Sequence, residues 1–146
     1  MNDNPTAASV RSSSPLLSSG LWKAGAIAAV LAAVVNAIVW AIGKAADVPY
    51  DVTQSGTTSK VAVYHAIVAS VSSVAVATIG AWLLRRFPWG MKLWTALLAV
   101  GAVVTTPGPF NAADSNKTAW TLIVMHVVVL AAIWFIVRPA AHRKPR

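Results

Sequence analysis

Four long apolar stretches decide what this chain can fold into. They cover about residues 21–42, 61–84, 89–106 and 119–137, and none carries an Asp, Glu, Lys or Arg deep within it. About 20 apolar residues in a helix cross the ~30 Å hydrocarbon core of a bilayer. None of the stretches alternates polar and apolar residues as a membrane β-barrel strand does. We therefore predict an all-α fold, an integral membrane four-helix bundle whose weakest span is the third.

Composition supports this class. Of 146 residues, 57% are hydrophobic and 11% are charged, which lies outside the usual range of soluble domains. There is no Cys, so disulfides and thiolate metal sites are excluded. A net charge of +8 would suggest nucleic acid in a soluble protein. Here the basic residues gather at the ends of the apolar stretches, so we expect no nucleic-acid partner.

The basic residues also predict an orientation, because cytoplasmic loops carry an excess of Lys and Arg. On one side are Arg11, Lys23, Arg85, Arg86, Lys92, Arg138, Arg143, Lys144 and Arg146. The other side carries Lys44, Lys60 and Lys117, which Asp47, Asp51 and Asp114 balance. Both termini are therefore expected in the cytoplasm, in a multi-pass protein of the inner (plasma) membrane.

The two ends of the chain are polar. Residues 1–20 are Ser-rich and aperiodic, so we expect a disordered cytoplasmic tail, and residues 139–146 form a basic one. A secretory signal peptide is the alternative for the first apolar stretch. That stretch is longer than the 7 to 15 residues of a typical signal-peptide core, which favours a retained helix.

Small and polar residues recur at three- and four-residue spacing within the spans, as helices that associate in lipid require. The first span offers Gly25, Ala29, Ala32 and Asn36; the second, Ser70, Ser73, Ala77 and Gly80; the third, Thr95, Ala99, Ala102 and Thr106. We expect these stripes to face neighbouring helices in a compact bundle.

Polar residues within the spans mark the candidate site, because they are expensive in lipid. We expect an outer-facing polar pocket formed by Asn36, Tyr64, His65, Thr105, Thr106 and His126. One hypothesis is that the histidines are switchable groups that bind a ligand or relay protons. The other, which we favour, is that the imidazoles and the amide hydrogen-bond between helices, with His126 facing the bundle. The spacing fits neither a metal site nor a catalytic residue set, and no cofactor is expected.

The inner face has its own candidate contacts, since basic residues near the surface are attracted to anionic lipid. These residues are Arg85, Arg86, Lys92, Arg138, Arg143, Lys144 and Arg146. Membrane lipid is thus an expected partner, although the same charges also serve simple positive-inside topology.

Three sequence segments carry a family resemblance: VVNAIVWAIG in the first span, YHAI leading to LLRR in the second, and AADSNKTAWTLIVMHVVV entering the fourth. On these segments the chain resembles an uncharacterised family of small actinobacterial four-helix integral membrane proteins. The resemblance implies a fold and no reaction.

Two functions stay open at this point. We expect a non-enzymatic small membrane protein that acts as an accessory or assembly component of a larger membrane complex, with protein partners or as a homo-oligomer. The alternative is a small-molecule or lipid binder or transporter that uses the polar pocket between the helices.

Overall fold

The computed structural model describes residues 19–142 and is mostly helical. The elements are α1 (Ser19–Ala45), β1 (Asp51–Gln54), β2 (Thr57–Lys60), α2 (Val63–Leu84), α3 (Gly90–Thr105), α4 (Gly108–Ala112), α5 (Asn116–Ala132), a π-helical turn (Ile133–Val137) and α6 (Arg138–His142). The expected disorder of residues 1–20 falls almost wholly outside the described part, as do Arg143, Lys144 and Arg146.

Four helical segments are long and apolar enough to cross a membrane: Gly20–Ala45, Val63–Leu84, Gly90–Ala112 and Asn116–His142. The third has the lowest mean hydropathy, 1.4, as its composition predicted. The fourth combines α5, the π turn and α6, and it continues five residues beyond the predicted end at residue 137. The helices run antiparallel in chain order. One end of the bundle, the terminal end, therefore carries the start of α1 and the end of α6, and the hairpin end carries the β-strands.

Helices α1 and α2 pack closely because small residues line their contact. Gly25, Ala28 and Ala32 are buried on α1, and Val74, Ala77 and Ala81 are buried on α2. A Cβ placed on Gly25 would lie 2.6 Å from Thr78 Oγ1, so this approach requires glycine. The predicted stripe on α1 is thus at the interface, as helix association in lipid requires.

The bundle is less evenly packed than the sequence predicted. Helix α3 packs mainly on α2, while α1, α2 and the fourth span make the main core. Trp94 anchors α3: it is 3% exposed, and its indole N–H donates to the carbonyl of Ala77 over 2.9 Å. Ala99 and Thr106 of the predicted third stripe are exposed. That stripe follows a helical period but lacks a facing helix.

The turn between α2 and α3 is fixed by Gly90. A Cβ on this residue would collide with the backbone carbonyl oxygen of Leu84. Pro88 lies within the turn, and the rings of Phe87 and Trp89 stack with their centroids 5.6 Å apart. Pro and Gly thus separate the two helices at the predicted place.

A β-hairpin covers the opposite end, which the all-α prediction missed. The strands pair from Asp51 with Lys60 to Gln54 with Thr57. Ser55 and Gly56 between them both have positive φ, 51° and 80°, as a two-residue type I′ turn requires. The loop after α4 joins this hairpin, because Asp114 N–H donates to the carbonyl of Asp51 over 3.1 Å. We call residues 51–60 and 113–114 the hairpin cap.

Tyr50 holds the hairpin cap against the bundle. Its side chain is 1% exposed, its hydroxyl donates to the carbonyl of Trp40 over 3.0 Å, and the two rings stack. Its backbone N–H donates to Thr118 Oγ1 over 3.2 Å. These contacts maintain a φ of 59°, which is unusual for a bulky residue. Burial raises the pKa of the Tyr50 hydroxyl above its ordinary value of 10.0.

Candidate functional site

A groove of about 660 Å³ runs between α2, α3 and α5, with α1 at its floor. Both α3 and α5 contact α2, whereas α3 does not pack extensively against α5. The groove therefore opens sideways between α3 and the fourth span. Its volume lies within the 300–1,000 Å³ range typical of sites for small molecules.

The walls of the groove are mostly apolar and carry no Asp, Glu, Lys or Arg among the described residues that line them. Seven of the described lining residues have side chains that can donate or accept a hydrogen bond: Asn36, His65, Ser70, Ser72, Ser73, Thr105 and His126. Four of the six residues in the predicted pocket are among them. The other two are exposed and do not line the groove: Tyr64 lies against the His65 ring, and Thr106 donates to the carbonyl of Ala102 on its own helix.

Asn36 is almost fully buried beside the groove, with 2% of its surface exposed. Its Nδ2 donates to Ser70 Oγ over 2.8 Å and to the carbonyl of Met125 over 3.2 Å, which joins α1 to both α2 and α5. Its Oδ1 is buried and has no hydrogen-bond partner. A buried acceptor without a partner is uncommon and unfavourable. Because this oxygen has almost no accessible surface, its burial is a cost to the fold and not a contact offered to the groove.

His126 occupies a different environment from the one predicted. It is exposed at the groove, and its Nδ1 lies 2.8 Å from the carbonyl oxygen of Leu122 on its own helix. Because a carbonyl can only accept, Nδ1 carries the proton and Nε2 of the neutral ring presents a lone pair. Within residues 19–142 no hydrogen bond links this ring to another helix, so the expected interhelical bond of His126 is absent from the structure. The side chain that bonds to Asn36 from another helix is that of Ser70, not that of His126.

His65 has the opposite tautomer. Its Nδ1 accepts a hydrogen bond from the backbone N–H of Ala62 over 3.0 Å, which caps the start of α2. The proton of the neutral ring is therefore on Nε2. His65 lies close to the hairpin end of the groove, about 12 Å nearer that end than His126 when depth is counted along each helix at ~1.5 Å per residue.

The terminal end carries the described members of the predicted lipid-contact set, Arg85, Arg86, Lys92 and Arg138. The Arg86 guanidinium lies 4.3 Å from the Trp82 ring centroid, and that of Arg138 lies 4.3 Å from the Trp134 centroid. Such cation–π contacts hold an arginine close to the helix surface. The described acidic residues are all at the other end.

Ser70 and the π turn are the features that sequence reasoning missed. Ser70 was assigned to packing alone, although its four-residue spacing from Ala66 and Val74 could have placed it opposite Asn36. The π turn directly precedes Arg138 and Pro139. A proline removes a backbone donor and crowds the preceding turn, which was a usable signal for irregular helix geometry.

These observations define a class: a small, mostly helical protein with four helices able to span a membrane and an apolar groove between three of them. The chain belongs to DUF6069, a family of unknown function, whose model matches residues 17–143. No curated protein and no solved structure matches it.

Proposed function

We propose that this chain is a non-enzymatic membrane protein that binds an elongated apolar molecule in the groove. The observation that carries the proposal is the groove itself, which has a volume of about 660 Å³, mostly apolar walls and the exposed ring of His126 among its few polar groups. Apolar walls with a few placed polar groups are typical of small-molecule sites. The sideways opening between α3 and the fourth span would admit such a molecule from the lipid phase.

The hydrogen bonds of the groove support a binding role over catalysis. Ser70, Ser72 and Thr105 each donate their hydroxyl proton to a carbonyl four residues earlier in the same helix. A nucleophilic hydroxyl needs a neighbouring base to take its proton. A carbonyl cannot do this, so these hydroxyls are poor nucleophiles.

The test uses a substitution that fills the groove. Gly101 lines the groove on α3, and a Cβ there would meet nothing within 4 Å. Gly101→Leu should therefore occupy the groove without disturbing helix packing. Gly20→Leu is the matched control, because Gly20 is also an open, exposed helical glycine and does not line the groove.

The measurement is native mass spectrometry of the three proteins after extraction in a mild detergent. We expect wild type and Gly20→Leu to retain the same bound molecule, and Gly101→Leu to lose most of it. Equal retention by Gly101→Leu would show that the molecule does not occupy the groove. A wild-type protein that carries nothing from its native membrane would also contradict the proposal.

An accessory role in a larger membrane complex is the second candidate. It is favoured by α3, since only 11% of the apolar window of Gly90–Ala112 is buried, the lowest value of the four spans. A partner helix or a second copy of this chain could cover that surface. A protein that co-purifies at fixed stoichiometry and cross-links to α3 would support this candidate; recovery of a monomer would argue against it.

The orientation of the protein in its membrane and its cellular location are also part of the proposal. The described Lys and Arg residues of the terminal end, together with the position of the described acidic residues at the hairpin end, favour a cytoplasmic position for the terminal end and contact with anionic lipid. We also propose a location in the plasma membrane and an actinobacterial source, on the basis of the family resemblance. Cysteines introduced at the two ends and labelled from one side of the membrane would test the orientation.

A further inference from the structure

Most of the polar side chains that line the groove have no hydrogen left to donate to a bound molecule. Both hydrogens of Asn36 Nδ2 are used, one by Ser70 Oγ and one by the carbonyl of Met125, so the Asn36 amide offers the groove no donor. The Ser70, Ser72 and Thr105 hydroxyls have donated their protons to carbonyls of their own helices, over 2.7 Å in each case.

His126 adds to this set, because its Nδ1 proton is directed to the carbonyl of Leu122 and Nε2 presents a lone pair. Side-chain donors remain at His65 Nε2, close to the hairpin end, and at the Ser73 hydroxyl. Backbone N–H groups of the lining helices are used within those helices, as in any α-helix. A bound molecule therefore meets lone pairs over most of the polar surface of the groove.

The described lining carries no charged side chain, and this limits the chemical class of the ligand further. A carboxylate or phosphate would face acceptors such as His126 Nε2 without a Lys or Arg among the described lining residues to neutralise it. An ammonium group would likewise lack a carboxylate. Unpaired charges in a low-dielectric site are strongly unfavourable. A neutral group that donates hydrogen bonds fits both conditions.

Depth in the bundle supports the same conclusion. Asn36 lies nine residues before the end of α1 and His126 ten residues after the start of α5, so both are about 14–15 Å from the hairpin end at ~1.5 Å per residue. That depth is about half of the ~30 Å hydrocarbon core. A charged lipid head group would stay at the membrane surface, whereas a neutral hydroxyl can reach this level.

We infer that the groove selects a lipid alcohol, a long apolar molecule with a neutral hydroxyl that donates to His126 Nε2. This inference rests on the proposed binding function and deepens it, because it names the polar group of the ligand. An ether or a ketone of the same skeleton would lack the donor, and a fatty acid would be repelled when ionised.

The test is photolabelling in nanodiscs of phosphatidylcholine, with a diazirine derivative of hexadecanol as the probe. Hexadecanol, its methyl ether and hexadecanoic acid serve as competitors, compared at equal mole fraction in the bilayer. We expect labelling of groove residues in wild type, loss of that labelling in Gly101→Leu, and about fivefold stronger competition by the alcohol than by the ether, the ratio for one neutral hydrogen bond.

His126→Phe removes the proposed acceptor and keeps a ring at an exposed position. It should bring the alcohol-to-ether ratio closer to one, while the competition by the ether stays the same. His142→Phe is the matched control, since His142 is an exposed histidine on the same span that does not line the groove. It should leave the ratio at its wild-type value.

The outcomes separate the two proposals. Labelling that is absent from the groove, or that persists in Gly101→Leu, would overturn the binding function itself. Groove labelling that the ether or the acid competes as well as the alcohol would leave the binding function intact and overturn the selection for a lipid alcohol.

Discussion

The bond between Asn36 and Ser70 offers the sharpest test of how the bundle is held together. Asn36 Nδ2 and Ser70 Oγ are 2.8 Å apart, and Asn36 is 2% exposed, so water is not a ready alternative partner. Hydrogen bonds between membrane helices contribute about 0.6 kcal/mol on average and ~1.7 at most. We expect a value in the upper half of that range, about 1 kcal/mol.

A double-mutant cycle isolates this contribution. Asn36→Ala, Ser70→Ala and the double variant are compared by reversible unfolding in mixed micelles with increasing SDS, followed by circular dichroism. Each single change also opens a cavity, and that cost cancels in the coupling free energy. The coupling energy should be about 1 kcal/mol, which is roughly a fivefold change in the unfolding equilibrium.

Ser72 supplies the control for this cycle. Its hydroxyl donates to the carbonyl of Val68 over 2.7 Å, just as that of Ser70 donates to the carbonyl of Ala66, but Ser72 makes no hydrogen bond to another helix within residues 19–142. Coupling between Asn36→Ala and Ser72→Ala should stay within about 0.3 kcal/mol. Equal coupling for the two serines, or a value below about 0.3 kcal/mol for Ser70, would refute the argument.

Two further predictions concern the ends of the bundle. Gly90→Ala should lower the free energy of unfolding by about 1–3 kcal/mol in the same SDS assay, because its Cβ meets the carbonyl of Leu84; Gly101→Ala, with open space around its Cβ, is the neutral control. Tyr50→Phe should lower the free energy of unfolding by about 1 kcal/mol at neutral pH, because the hydrogen bond to the Trp40 carbonyl is lost. Since burial raises the folded-state pKa of Tyr50, its contribution should persist below pH 10.0 and decline above it, and this decline should be missing in the variant. If the pH profile of the free energy of unfolding were the same for wild type and Tyr50→Phe, the argument from the buried hydroxyl would be wrong.

The four helices were predictable because lipid imposes a simple requirement on sequence. Each span must be apolar over about 20 residues, and Pro88 and Gly90 separate two of them visibly. The β-hairpin had a signal that was not used, namely Ser55-Gly56 between Val and Thr residues, which favours a two-residue turn. The peripheral position of α3 had no such signal, since its stripe of small residues resembles those of helices that do pack.

The sequence predicted several residues of the candidate site but not the hydrogen bonds that their atoms make. Apolar context singled out Asn36, His65 and His126, and all three line one groove. Which atoms remain unpaired depends on bonds that periodicity does not specify. The Nδ1 of His65 accepts from a backbone N–H and that of His126 faces a carbonyl, although both residues appear in the sequence as isolated histidines in apolar helices.

The hairpin cap has a consequence for the order in which the molecule is completed. Its two parts, residues 51–60 and 113–114, lie on either side of the second and third spans in the chain, and Tyr50 also bonds to Thr118 at the start of the fourth. During synthesis the first hairpin of helices is present well before Asp114 emerges. The cap can therefore form all its contacts only after residues 113–118 have been synthesised, and a chain truncated before them lacks the bonds to Asp114 and Thr118.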